Sequence, residues 1–254
     1  MGTGADGEST ALIKQRAQFR GFHPEAFRFF RRLARNNHKP WMDRNRTIYH
    51  EHVAGALKGL FEELVPVVLA LDPDFEISGK TGRNFSRINR DIRFARDKSP
   101  YRRQLYLYFG PYGNTGLDTR LYVGLAADGV TCGFATYNGR NSALARLLKP
   151  RRASNPQPLE RLVRRLSRKY EMYWYATERG AWTQHPGAPR SEKDWKRCRA
   201  WVVRKRFPSE RRQVRSAGFA QEVAKIFREL FPLYAFSAIE GRAGEQALKR
   251  AGRR

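Results

Sequence analysis

Between positions 87 and 101 the chain gathers the side chains that chemistry on a negatively charged group requires. Arg87, Arg90, Arg93 and Lys98 are cations, Asp91 a carboxylate and Tyr101 a phenol. A guanidinium presents a planar fork of donors that matches carboxylate or phosphate oxygens. Read this way, Arg87, Arg90, Arg93 and Lys98 clamp an anion, Asp91 orients Arg93 or takes a proton, and Tyr101 donates one. Alternation predicts a strand over 85–94, with Phe85, Arg87, Asn89, Asp91 and Arg93 on one face and Ile88, Ile92 and Phe94 on the other. Arg90 falls on the apolar face, where a charge needs a partner or an irregular backbone. Asp97 and the Ser99-Pro100 step predict a turn that swings Lys98 and Tyr101 back toward the cations. The same residues also suit a salt-bridge network pinning a hairpin, and spacing does not separate the two.

A second concentration of charge lies further along. A helix expected over 158–170 turns Arg161, Arg164, Arg165, Arg168 and Lys169 away from the apolar stripe of Leu159, Leu162, Val163 and Leu166. A helix expected over 192–206, with Trp195, Cys198 and Val202 as its apolar face, adds Lys196 and Arg199. Such faces suit phosphates without reading base sequence. Tyr173, Trp174, Tyr175 and Trp182 have faces on which bases stack, although strand aromatics are more often core. The whole chain supports this bias, with a net charge of +26 over 254 residues, of which +19 falls after residue 139. Self-repulsion on that scale opposes compaction and attracts polyanions.

Other chemistries find less support. His23, His38, His50, His52 and His185 are scattered, and the two histidines of His50-x-His52 point apart on a helix, so no metal site and no cofactor is expected. Cys132 and Cys198 read as buried packing residues rather than nucleophiles or a disulfide framework. Gly79-Lys80-Thr81-Gly82 has only the end of a phosphate-loop pattern and reads as a turn. No apolar run spans a bilayer and the N-terminus lacks the layout of a secretory signal, so the expectation is a cytoplasmic protein without membrane contact.

The elements that must position these groups follow from periodicity. A short helix opens at Gly21-Phe22-His23-Pro24 and carries Phe27, Phe30 and Ala34. A second starts near Pro40 and Trp41, buries Ile48, Val53, Leu57, Leu60, Phe61 and Leu64, and stops at Pro66 or at Asp72-Pro73. Period two then takes over in 105–109, 121–125 and 130–137, with Asp128-Gly129 as a hairpin turn, and again in 171–177. A last helix is expected over 217–231. The sum is an α+β fold, a central antiparallel sheet flanked by N-terminal and C-terminal helices, in one domain from about 16 to 240. Residues 1–15 and 241–254 read as tails, the second basic.

The segment Arg87-x-x-Arg90-Asp91-x-Arg93-Phe94-x-x-Asp97-Lys98-x-x-Tyr101 resembles the signature of the bacterial domain-of-unknown-function 2461 family. Asn36-Asn37-His38-Lys39-Pro40-Trp41 is similar to that family's Asn-Asn-x-x-Trp segment, with Met42 where phenylalanine commonly follows. The resemblance covers about residues 19–235. It implies a shared fold and a shared site, and no reaction. Three functional readings follow from the residues. The first is binding of a phosphate-bearing partner, nucleic acid or a nucleotide-like ligand, through the Arg-rich strand and the basic helices. The second is an enzyme acting on a small anionic substrate around Arg87–Tyr101. The third is an interaction protein with an acidic protein partner.

Overall fold

The computed structural model describes residues 18–111, 119–137 and 156–238, with the isolated positions 246 and 250. The expected tails lie mostly outside the described residues. The first helix, α1 (Pro24–Arg35), begins where proline's fixed φ suits a first helical position, and His23 Nδ1 accepts from Glu25 N at 3.3 Å. Its apolar face buries Ala26, Phe27, Phe29, Phe30 and Leu33.

The expected second helix is a broken helical run. It consists of α2 (Lys39–Arg44), α3 (Arg46–Ile48), a π-helical turn (Tyr49–Ala54) and α4 (Gly55–Leu71). Pro66 does not stop α4, which ends at Asp72 instead. Pro66 is exposed, so its ring faces solvent rather than a packed neighbour and the helix accommodates it.

Six strands form one antiparallel sheet: β1 (Gln104–Phe109), β2 (Thr119–Ala126), β3 (Gly129–Tyr137), β4 (Glu171–Glu178), β5 (Ala181–Pro186) and β6 (Ala200–Pro208), in the order β1-β2-β3-β6-β4-β5. Ala127-Asp128 closes the β2–β3 hairpin and Ala126 pairs with Gly129. Between the strands come α5 (Pro156–Leu166) and α6 (Glu192–Arg197), and α7 (Phe219–Ala238) closes the described fold. One sheet face carries Leu105, Leu107, Phe109, Leu121, Val123, Phe134, Trp201 and Val203 into a core shared with α1, α4 and α7. At about 25 cal/mol per Å² of apolar surface removed from water, each large side chain buried there contributes about 1.5–3 kcal/mol.

Two expected elements are corrected. The helix over 192–206 is the short α6 followed by β6, the strand between β3 and β4. Ser191 and Asp194 cap each other to start the helix. Trp201, Val202, Val203 and Phe207 are β-formers whose burial in the sheet centre outweighs the helix-like spacing of Trp195, Cys198 and Val202. The strand over 85–94 is instead irregular chain with isolated bridges from Phe85 to Leu107 and from Asn89 to Tyr101. Its first part covers the β1 edge: Ser86 N donates to Tyr106 O at 2.9 Å and Tyr108 N to Asn84 O at 2.7 Å. The buried Asn84 amide holds this cover, donating to Glu76 O and Tyr108 O and accepting from Gly79 N. An open edge is thereby closed to other strands.

Candidate functional site

The cation-rich segment is a surface loop that pins itself. Arg90 Nη1 lies 2.8 Å from Asp97 Oδ2 and donates to Ser99 O at 3.0 Å, which supplies the partner its position demanded. Arg93 makes a forked pair with Asp91 at 2.7 and 3.0 Å, both side chains well exposed. Lys98 Nζ donates to Ile92 O at 3.1 Å. Asp97 is pulled down to about 2 by its hydrogen bonds from Ser99 and then from Arg90. Asp91 is lowered by its bonds from Arg93.

Tyr101 is 6% exposed and belongs to the core. The Asn37 amide grips its backbone from both sides, donating to Tyr101 O at 2.9 Å and accepting from Tyr101 N at 3.0 Å. The fold therefore couples the loop to the segment after α1, and the hydrogen bonds shown for the side chains of Arg90, Asp91, Arg93 and Lys98 are made within the loop. Arg87 stands apart: among the described residues it makes no ion pair or hydrogen bond, and it lines a groove against α4.

The basic residues downstream are arranged differently from the expectation. Arg161, Arg164 and Arg165 sit on α5, but α5 ends at Leu166 and leaves Arg168 and Lys169 in the turn before β4. Lys169 reaches Glu229 of α7 at 3.5 Å and Lys196 pairs with Glu192 along α6 at 2.9 Å. Arg199 precedes β6 rather than lying on a helix. Arg161, Arg164, Arg165, Arg168 and Arg199 have no ion pair among the described residues.

The sheet face opposite the helices carries a polar hollow whose residues come from five strands, which alternation along any one strand does not bring together. Tyr106 and Tyr108 of β1, Arg120 and Tyr122 of β2, Tyr137 of β3, Tyr173 of β4 and Arg204 and Arg206 of β6 line a hollow of about 190 Å³. Gly124 forms part of its floor, because a Cβ there would press on the Tyr106 ring and on Thr131 Oγ1 at 2.7 Å. Arg204 donates to Glu171 at 3.0 Å and lies 4.9 Å over Tyr173, while Arg206 meets Asp128 at 2.5 Å. Arg120 is held otherwise. Its guanidinium carbon sits 4.2 Å from the Tyr108 ring centre and 4.8 Å from that of Tyr137. Its Nε is buried with no hydrogen-bond partner, and among the described residues it has no carboxylate partner. Burial raises Tyr106, Tyr108 and Tyr122 above the usual phenol range and Tyr173 to about 12. Burial thus disfavours the phenolate form at these four tyrosines.

The sequence does hold a signal for this face. In β1 and β2 the residues alternating with the core are tyrosine and arginine where a solvated sheet face would carry small polar or acidic residues. What alternation lacks is the strand order that brings Arg204 and Tyr173 beside them.

Fold and face define a class, an α+β protein whose antiparallel sheet packs helices on one side and presents a tyrosine- and arginine-lined hollow on the other. Within that class the chain belongs to the family described as "Conserved hypothetical protein (DUF2461)", whose model matches residues 25–236. No curated protein gives a match.

Proposed function

We propose that this protein binds a phosphate-bearing partner, a nucleic acid strand, and that the tyrosine- and arginine-lined sheet face is where a phosphate of that strand is seated. The observation that supports this reading is Arg120, a guanidinium clamped between two tyrosine rings with a buried Nε and, among the described residues, no carboxylate partner. Burying a donor without a partner costs about 1–3 kcal/mol, so a fold that keeps one has a use for it when a ligand supplies the acceptor. A hollow of about 190 Å³ is smaller than the ~300–1,000 Å³ typical of sites for drug-sized molecules and matches one unit of a polymer better than a whole dinucleotide. Arg161, Arg164 and Arg168, on α5 and the turn after it at the helix side of the sheet, and Arg199 then add long-range attraction for a polyanion without sequence preference, not contacts at the hollow.

The test is binding of a labelled single-stranded oligonucleotide, followed by fluorescence anisotropy across a salt series. Affinity should fall steeply with salt, and Arg120→Gln should weaken it about tenfold and lower the log–log salt slope by about one. A salt-independent affinity, or an Arg120→Gln variant that binds like the parent, would count against the proposal.

A further inference from the structure

A second cavity, of about 480 Å³, lies on the other side of β1, between α4 and the loop that covers the β1 edge. Its floor is apolar: Leu57 of α4, Leu105 of β1, and Phe85 and Ile88 of the loop. Its two charged lining residues among those described are Lys58 and Arg87, both exposed and both with side chains that make no ion pair or hydrogen bond to a described residue. No aspartate or glutamate among the described residues lines it. The π-helical turn helps shape one wall, placing Tyr49 and Ala54 at the cavity, and an inserted π turn recurs at functional sites. Burial disfavours the charged form of the Tyr49 phenol, so this wall does not add a negative charge to the cavity.

From these features we infer that the groove is a binding site for a small organic carboxylate with an apolar body, the carboxylate meeting Lys58 and Arg87 and the body lying on Leu57, Phe85, Ile88 and Leu105. Three features favour this class. The size falls in the ordinary range for a small-molecule site. The surface divides into an apolar floor and a cationic rim, which matches an amphipathic anion and not a bare inorganic one. Finally, Arg87 is the one cation of the family-like motif that the loop does not use for itself, and the loop's internal pairs hold the chain that carries it. Tyr106 lines both hollows, but the residues that carry this inference, Lys58, Arg87 and Leu57, do not line the sheet-face one.

Octanoate, n-octanol and inorganic phosphate, each titrated calorimetrically into the full chain, test this. Octanoate should bind at least about tenfold more tightly than octanol, and inorganic phosphate should not displace it. The double substitution Lys58→Gln/Arg87→Gln should weaken octanoate about tenfold and leave octanol unchanged. Both positions are exposed, so the variant is expected to keep the parent's circular dichroism. Arg120→Gln should bind octanoate as the parent does. Equal binding of octanoate and octanol, displacement by phosphate, retention of octanoate affinity in the double variant, or its loss in Arg120→Gln would each overturn the assignment.

Discussion

Asp97 shows how much of the motif's charge is spent on shape. Its carboxylate accepts the Ser99 N–H at 2.8 Å and the Arg90 guanidinium at 2.8 Å, and these bonds hold it near 2, below its ordinary 3.8. A carboxylate depressed in the folded state contributes stability above its unfolded pKa and loses it as the pH falls through the folded value. Its contribution is therefore complete at neutral pH, declines below about 4 and is gone below about 2. Asp97→Asn should remove it at every pH. In that variant the amides of Arg90 and Arg102, which bond to Pro100 O and Ile88 O, should exchange faster at neutral pH while amides of β2 and β3 do not change. Unchanged exchange at both positions would mean that the Arg90–Asp97 pair does not hold the loop. The sequence already showed that Arg90 needed a partner, because a cation among Ile88, Ile92 and Phe94 has few alternatives. It could not show that Phe94 would be 95% exposed or that Tyr101 would be core, since both depend on where an irregular loop meets the rest of the chain.

At the level of elements, legibility followed the strength of local periodicity. The stripes of α1 and α4 and the alternation of β2 and β3 stand out because one side of each is continuously apolar. The segment 85–94 alternates just as well, yet most of its polar groups bond within its own excursion, and only Asn84–Ser86 meets β1. Residues 192–206 mislead for the opposite reason: Lys205 is on the helix-facing side of β6 with Nζ 2.8 Å from Glu222, so a charged residue interrupts the strand's apolar face. The β2–β3 turn offers a test at this scale. Gly129 has φ +146°, where other residues are strained, and a Cβ there would collide with the Phe207 carbonyl of β6. Gly129→Ala should destabilise the protein by at least about 2 kcal/mol, read from the midpoint of urea unfolding. A loss below about 0.5 kcal/mol would show that the β3–β6 contact gives way easily.

For the whole molecule the dominant quantity is the net charge of +26. Exposed cations such as Arg161, Arg164 and Arg168 make no ion pair among the described residues, so folding brings like charges together. Sodium chloride screens that repulsion over a Debye length of about 10 Å at 0.1 M and about 3 Å at 1 M. Raising it from about 0.02 to 0.5 M should lift the melting temperature by several degrees while it weakens oligonucleotide binding. A melting temperature that falls across that series would mean that the ion pairs outweigh the repulsion. No described helix is long and apolar enough to cross a membrane.

The strand order has a consequence for how the chain is made. A polypeptide emerging N-terminus first can close β1, β2 and β3 into a meander and β4 onto β5 as a hairpin, each from neighbouring segments. The two pieces have no shared seam until Ala200–Pro208 arrives to lie between them. Until then two rows of unpaired backbone groups face solvent, and the slow, long-range closure waits until both pieces have emerged, which leaves the chain open to mispairing with a neighbour.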